Sequence, residues 1–416
     1  MVSRRRFLEI GGLSLSTFGF VKNAFSLSNS TPESEPKNMV GDVVPLTPED
    51  FERRLEKAKR IMAEEQIDGL FLTGSTDLQY FTNVQWGRSE RTFGALINRK
   101  GAPIWVCPAF ELDRAQEHLP KSHEVRTWRE HESPYAVIGG IMKDLGGNRV
   151  ALGPTVRSFT AYGIRKDAPQ LEHVDGAVVT ENCRVIKTDK EVGYIELASK
   201  ITKQVHKEVF SRLSDGMSAE DIMTIARDSH KEKGVVGYGN PKIGPNSAFP
   251  HGSSVERKLA DGNIVLVSGG CTVEGFNCDV DRTTVFGKPT DKHRKVFDVV
   301  KKAQTEAIKT VRPGIACEDV DAVARKVMED AGFGAQYEYF KHRIGHGVGM
   351  DGHEYTYLVK GNKTKLQPGM VFSCEPAIYI DGEFGLRIED DFVVTEDGAR
   401  LLGGMFATAI DQPLGE

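Results

Sequence analysis

Two periodicities of hydrophobic residues divide the chain into predicted helices and predicted strands. Apolar residues recur every three or four positions after Thr188, which predicts a long helix with one buried face. The residues of that face are Val192, Ile195, Ala198, Ile201 or Val205, and Val209. Similar spacing predicts three further helices, one from Thr47-Pro48, one over about 291–311 and one from about Glu318 to just before Gly332.

Short apolar runs that end at glycine or proline predict strands. In the first half these runs are IDGLFLTG, GALINRKGAPIWVCP, VRTW and RVALG, and they alternate with helical segments. This alternation predicts an α/β domain over residues 46–182. In the second half, VLVSGGCTVEGFNCDVDRTTVFG predicts a hairpin that turns at Glu274-Gly275, and GMVFSCEPAIYI and GLRIEDDFVVT predict further strands. Long helices beside a mainly antiparallel sheet predict an α+β domain over residues 183–410.

Composition excludes some classes of protein. The chain has 416 residues, and its 39% hydrophobic and 27% charged content is that of an ordinary globular protein with room for two domains. The net charge is -5 and no dense basic stripe follows the first few residues, so we expect no nucleic-acid partner. Six cysteines lie among apolar residues without a CxxC pair, which predicts buried free thiols.

Residues 1–45 differ from the rest of the chain. The segment SRRRFL followed by a weakly apolar, Gly- and Ser-rich stretch resembles a twin-arginine export signal, and SLSNSTPESEPKN then reads as a linker. The alternatives are a disordered basic tail or an uncleaved membrane anchor, although the stretch is short and polar for a spanning helix. We therefore expect a periplasmic protein with no stable membrane association after export.

Five ionisable residues interrupt the apolar strands and glycine-rich turns of the second half. They are Asp279, Asp281, His346, Glu375 and Glu389. Each by itself fits an ordinary salt bridge or turn. Together they predict a metal site, because buried carboxylates need a compensating cation. Carboxylates with one imidazole suit Mn, Zn, Co or Fe.

The motifs GHGVGMDGHE, FSCEPAIYI and FGLRIEDDFVVT resemble those of the pita-bread metallohydrolases, which include aminopeptidase P, prolidase, methionine aminopeptidase and the metal-free creatinase. The resemblance covers about residues 185–405, and a looser one links residues 45–180 to the creatinase-like N-terminal domain. It implies an α+β fold with a C-terminal pita-bread domain, one or two divalent metal ions and a homodimer. The two-domain length is closer to aminopeptidase P or prolidase than to methionine aminopeptidase.

The resemblance also implies roles for individual residues. Asp279 and Glu389 match the carboxylates that bridge two metal ions, and His346 and Glu375 match the other ligands of the first ion. In that scheme a metal-activated water attacks the amide carbonyl and Glu375 relays its proton. The remaining matches are His251 and His353, which contact the substrate and stabilise the oxyanion, and Arg387, two residues before Glu389.

The sequence departs from the family pattern at two positions of the hairpin. Ser268 stands where the family has an aspartate that ligates the second metal, and Asp281 stands where it has Thr or Ser. If Glu274-Gly275 is a two-residue turn, Ser268 and Asp281 are directly opposite and share a face with Asp279. We therefore hypothesise that Asp281 supplies the missing ligand. The alternative is that Asp281 pairs with Arg282 or another cation, which leaves one metal or none.

These observations favour a metal-dependent peptidase that hydrolyses Xaa-Pro amide bonds in proline-containing peptides, as an aminopeptidase or a dipeptidase. A second hypothesis is a creatinase-like, metal-independent hydrolase of a small amide or amidine. A third is a catalytically impaired family member that binds peptide. Metal content separates the first hypothesis from the second, and turnover of Xaa-Pro peptides separates the first from the third.

Overall fold

The computed structural model describes residues 38–404 and 406–414. The predicted export signal lies outside these residues. Among the described helices, none is both long enough and apolar enough to cross a lipid bilayer.

In the described part of the N-terminal half, from residue 38 onward, six α-helices lie around a six-stranded sheet. The helices are α1 (Pro48–Glu64), α2 (Thr76–Thr82), α3 (Leu112–His118), α4 (Pro134–Asp144), α5 (Ser158–Asp167) and α6 (Ala177–Arg184). The strands are β1 (Gly69–Thr73), β2 (Gly94–Asn98), β3 (Ile104–Pro108), β4 (Val125–Trp128), β5 (Arg149–Leu152) and β6 (Glu172–Asp175). Their order is β4-β3-β2-β1-β5-β6, and parallel pairs at both edges flank the antiparallel strands β1 to β3.

The described part of the C-terminal half combines four α-helices with antiparallel strands. The helices are α7 (Asp189–Ser211), α8 (Ala219–Glu232), α9 (Asp291–Thr310) and α10 (Cys317–Asp330). The strands are β7 (Val236–Ile243), β8 (Ile264–Val273), β9 (Phe276–Asn277), β10 (Val280–Val285), β11 (Gly345–Gly347), β12 (Glu354–Leu358), β13 (Val371–Cys374), β14 (Ala377–Ile380), β15 (Phe384–Arg387), β16 (Asp390–Val394) and β17 (Ala399–Leu401). The predicted helices therefore form close to their expected bounds, and α8 is an addition to them.

Helix α7 shows why the sequence folds in this way. Thr188 caps its first turn together with Glu191, as expected for a Thr-x-x-Glu capping box. The apolar face that the spacing predicted is buried against β8. All six cysteines are free and buried, which confirms the prediction of thiols in the core.

The predicted hairpin forms with the predicted register. Ser268 pairs with Asp281, and Val273 pairs with Phe276. At the turn, Glu274 and Gly275 have φ values of 49° and 84°, which is the left-handed conformation that a two-residue hairpin turn requires. Directly opposite residues share a face, so Ser268 and Asp281 project to the same side of the sheet.

Two segments expected as single strands are instead broken in the middle. GMVFSCEPAIYI divides into β13 and β14 at Glu375, and GLRIEDDFVVT divides into β15 and β16 before Asp390. Strand β13 pairs with β16 in one sheet, whereas β14 pairs with β15 in another. Pro376 lacks the N–H of a regular ladder, which favours the break beside it. Both breaks therefore lie at the same bend, and each carries a glutamate.

Candidate metal centre

The carboxylates of the centre lie where strands are interrupted. Asp279 lies between β9 and β10, Glu375 between β13 and β14, and Glu389 between β15 and β16. The backbones of Asp281 and Glu389 exchange hydrogen bonds of 3.2 and 3.1 Å, so the hairpin is joined to the bend at this point. At each interruption the side chains no longer alternate regularly between the two faces of the sheet, and the three carboxylates converge on one space.

His346 lies at the middle of this group. Its Nε2 is 3.5 Å from Glu375 Oε1, 3.8 Å from Glu389 Oε1 and 3.9 Å from Asp279 Oδ2. Its Nδ1 lies 3.1 Å from the carbonyl oxygen of Gly347, which can accept only if Nδ1 carries the proton. Burial, with a contribution from His353, lowers the pKa of His346 to about 3, so the ring is neutral at pH 7. The lone pair of Nε2 therefore faces the three carboxylates, as in a metal-ligating histidine.

The carboxylates themselves fit a divalent cation. Burial raises the pKa of Glu375 to about 8, and burial with the nearby Asp281 raises the pKa of Asp279 to about 7. Within the described residues, Asp281 Oδ1 and Glu389 Oε1 are buried without any hydrogen-bond partner. The ligand atoms of three overlapping groups lie within 4.8 Å of one another: Asp279, His346 and His353; His346, Glu375 and Glu389; and Asp279, Asp281 and Glu389. An ion here would partner the unsatisfied oxygens and remove the crowding of negative charge.

Asp281 forms an ion pair with an arginine of the centre. Arg387 Nε donates to Asp281 Oδ2, and its Nη2 donates to Ser268 Oγ at 3.3 Å. Burial would raise the pKa of Asp281, but Arg387 and Lys242 hold it below its ordinary value. The alternative in which Asp281 pairs with Arg282 or another cation is therefore confirmed for another cation, Arg387. The carboxylate partner of Arg282 is instead Asp390 at 2.6 Å, and Arg282 reaches only the backbone carbonyl of Asp281. Asp281 Oδ2 thus contacts Arg387, and a carboxylate oxygen of Asp281 also lies within 4.8 Å of ligand atoms of Asp279 and Glu389.

A layer of polar residues behind the centre fixes its ligands. Asp391 accepts the backbone N–H of Asp279 at 3.0 Å and the hydroxyl of Ser199 at 3.1 Å. Asp390, which follows Glu389, pairs with Arg282 and with Lys203 at 2.7 Å. These contacts hold the two chain segments that present Asp279 and Glu389.

Both predicted substrate-contacting histidines, His251 and His353, lie at the open side of the centre. His353 is exposed and stacks on His346, with ring centroids 3.7 Å apart and an interplanar angle of 19°. Its Nδ1 lies 3.2 Å from Arg343 Nη2. His251 is exposed and lies close enough to His353 to lower the pKa of that ring, after burial and Arg343. His251 also lines a cavity of about 530 Å³ together with Lys242.

Sequence reasoning missed two further residues of the centre. His342 Nε2 lies 2.9 Å from Tyr379 Oη, and its Nδ1 lies 3.8 Å from Glu375 Oε2. Its position four residues before His346 was the available signal. Lys242 lies on β7 and is 4% exposed, and its only signal was a single lysine within YGNPKIGPN.

Comparison with known proteins identifies the family. Residues 54–186 match the Creatinase/Prolidase N-terminal domain, and residues 193–396 match metallopeptidase family M24. A probable dipeptidase PepE from Mycobacterium bovis is 34% identical over 358 residues, which cover 84% of this chain and 93% of the relative. This chain belongs to metallopeptidase family M24.

Solved structures of a dipeptidase and a prolidase agree with this assignment. A dipeptidase PepE from Mycobacterium ulcerans superposes with a TM-score of 0.81 at 31% identity, over 87% of this chain and 98% of that one. A prolidase from Thermococcus sibiricus superposes with a TM-score of 0.78 at 29% identity, over 85% of this chain and 97% of that one. The predicted fold class, a pita-bread domain preceded by a creatinase-like domain, is confirmed, as is the prediction of a hydrolase of the metallopeptidase class.

Proposed function

We propose that this M24 protein hydrolyses Xaa-Pro peptides, as a dipeptidase or an aminopeptidase, with a divalent ion held by Asp279, His346, Glu375 and Glu389. The observation that carries the proposal is the neutral His346 ring, whose Nε2 lies within 3.9 Å of all three carboxylates. Relatives named as a dipeptidase and a prolidase support the substrate class. Mn, Zn, Co and Fe all suit this ligand set, and Asp281 adds a further oxygen to it.

A bound divalent ion would acidify a water molecule and polarise the amide carbonyl. Glu375 would hold the proton released by that water, because it is a buried carboxylate whose Oε1 lies 3.5 Å from His346 Nε2, at the centre that would bind the ion. Arg387 Nη1 lies 3.8 Å from Glu375 Oε2 and favours the ionised carboxylate, which is the form that can accept a proton.

His353 can donate a hydrogen bond to the carbonyl oxygen of a substrate. Arg343 has only donors, so Nδ1 of His353 must accept from it. In the neutral ring the proton then resides on Nε2, which becomes a donor. His251 lies on the same open side, so two rings are available to stabilise negative charge on the oxygen in the transition state.

The test uses metal-reconstituted protein and a panel of Xaa-Pro dipeptides, Xaa-Pro-Xaa tripeptides and matched Xaa-Ala peptides. We expect turnover of the proline peptides, and loss of at least about 100-fold in kcat for Glu375→Gln, the typical size of a general acid–base effect. Lys258→Met is the matched surface control, because its side chain is 59% exposed. Metal-free turnover of a small amidine would instead support a creatinase-like hydrolase, and binding without turnover would support an impaired member.

The role of Asp281 has its own test. A Ser268→Asp, Asp281→Thr double variant returns the carboxylate to the opposite strand, and we expect metal content and activity to be retained. If Asp281→Ala keeps the number of bound ions and the metal affinity of the wild type, Asp281 is not a metal ligand.

We also propose export by the twin-arginine route to the periplasm and assembly as a homodimer, as the resemblance implies. Cell fractionation with and without replacement of the Arg4-Arg5-Arg6 cluster tests the first proposal. Light scattering of the purified protein tests the second.

A further inference from the structure

Lys242 places an unexpected positive charge beside the centre. Strand β7 pairs with β8 so that Asn240 is opposite Ser268 and Lys242 is opposite Leu266. Residues two apart on a strand share a face, so Lys242 projects to the side of the sheet that carries Ser268 and Asp281. The side chain is 4% exposed, and it lines the same cavity as His251.

The Lys242 ammonium lacks a direct partner in the described part of the chain, where it makes neither a hydrogen bond nor an ion pair. Burial and then the nearby Arg387 lower its pKa to about 8, while Asp281, Glu389 and Asp279 act in the opposite direction. The side chain faces the cavity that His251 also lines, and the acids of the centre favour its charged form while burial opposes it.

The charges of the centre are matched by one divalent ion. Asp279, Asp281, Glu375 and Glu389 carry four negative charges when ionised, and Arg387 and Lys242 carry two positive charges. A single divalent ion makes the group neutral. A second would leave two uncompensated positive charges in a buried site. Arg343 at the rim adds to this excess, because it also favours the ionised form of Glu375.

The available ligands also favour a single ion. The family's second ion relies on an aspartate at the position of Ser268, and a serine hydroxyl is neutral. The candidate replacement, Asp281, already has one oxygen bound by Arg387. That guanidinium also reaches Ser268, so it occupies the space between the two hairpin positions.

We propose that the centre holds one divalent ion, and that Lys242 and Arg387 together provide the positive charge that a second ion would bring. This rests on the proposed metal-dependent function. It assigns Asp281 Oδ2 to the binding of Arg387 and leaves Asp281 Oδ1, which has no hydrogen-bond partner within the described residues, available to the single ion.

The experiment measures bound manganese per chain, by elemental analysis of the reconstituted protein and by calorimetric titration. We expect one ion for the wild type and for Lys258→Met, which removes an exposed lysine of the same size. Lys242→Met should retain one tight ion and gain a weaker second one. The double variant Ser268→Asp, Lys242→Ala should bind two, because it restores an acid and removes the ammonium.

Several results would overturn the proposal. Two ions of similar affinity in the wild type would do so directly, without any variant. A folded double variant that still binds one ion would show that Lys242 does not control stoichiometry. If Lys242→Met raises KM for peptides while stoichiometry and affinity for manganese are unchanged, the ammonium contacts substrate instead. Wild type with two ions and normal Xaa-Pro turnover would overturn this inference alone, whereas absence of both metal and turnover would overturn the proposed function.

Discussion

A buried ion cluster connects the end of α6 to the loop that carries His353. Arg184 donates to Asp77 and Asp351 at 2.7 Å each and also to Glu354. Lys187 reaches the other oxygen of Glu354 at 3.1 Å. The side chains of Arg184 and Glu354 are only 11% and 5% exposed. We predict that replacing Arg184 with Met destabilises the protein and displaces His353.

The magnitude follows from Glu354. Burial by itself would raise the pKa of this carboxyl, yet Lys187 and Arg184 lower it from 4.5 to about 2. At about 1.4 kcal/mol per pKa unit, that shift corresponds to about 3 kcal/mol of favourable interaction shared between the two cations. Removal of one partner from a buried pair typically costs about 3–5 kcal/mol, since a charge is left uncompensated. We therefore expect Arg184→Met to lower the free energy of unfolding by about 3 kcal/mol.

The assay is urea unfolding of wild type, Arg184→Met and Arg400→Met, followed by circular dichroism. Arg400 is the matched control, because its 2.8 Å pair with Glu196 has side chains 48% and 40% exposed. An exposed pair contributes about 0–1 kcal/mol. Equal losses for the two variants would refute the reasoning from burial. A fall in kcat/KM for Arg184→Met but not for Arg400→Met would show that the cluster also positions His353.

The same cluster has a defined pH dependence. A lowered pKa stabilises the folded state above the pKa of the unfolded chain, so the contribution of Glu354 is complete above about pH 4.5. It is lost as the pH falls towards about 2, where the folded carboxyl is protonated. The gap in stability between wild type and Arg184→Met should therefore narrow across this interval.

Three further predictions concern the backbone, the ion and the thiols. Gly345→Ala should destabilise the protein and reduce metal binding, because the added Cβ would lie 2.0 Å from the carbonyl oxygen of Ser373. Gly193→Ala is the control: this helical position has no atom within 4 Å of an added Cβ, so stability and metal binding should be unchanged in unfolding and metal assays. Removal of the metal by a chelator should destabilise the protein more at about pH 8 than at about pH 6. The raised pKa values of Asp279 and Glu375 mean that the metal-free folded protein binds more protons than the unfolded chain, so its stability falls as the pH rises. Equal decreases in Tm at the two pH values would contradict this prediction. The six buried thiols should react with a disulfide reagent only on unfolding, and fast reaction of any thiol in the native protein would contradict their burial.

The sequence was sufficient where local rules decide the outcome. Helix α7 follows from its capping box at Thr188 and its apolar stripe, and both operate within a few residues. The Ser268–Asp281 register follows from the Glu274-Gly275 turn, because a two-residue turn leaves only one pairing of the strands. Motif resemblance supplied the family and the set of acids around His346.

The sequence was insufficient for features that depend on contacts between segments distant in the chain. The breaks at Glu375 and Glu389 depend on two sheets meeting at one bend, and apolar runs on either side hide them. Arg282 was a predicted partner of Asp281 because it is the next residue in the sequence. Neighbouring residues on a strand, however, face opposite sides of the sheet. Its actual partner, Arg387, is 106 residues away in sequence. Lys242 had no local pattern to distinguish it from a surface lysine.

The position of Arg387 explains how the carboxylate could change strands. Its guanidinium contacts both Ser268 and Asp281, which are directly opposite on the hairpin. An acid on either strand would therefore meet the same cation, and the exchange preserves that ion pair. Lys242 lies on the next strand of the same sheet and has no such fixed partner in the described chain. Since an exchange of Ser268 and Asp281 preserves both the ion pair and the total charge of the centre, Lys242 is the charge on which the proposed number of bound ions depends.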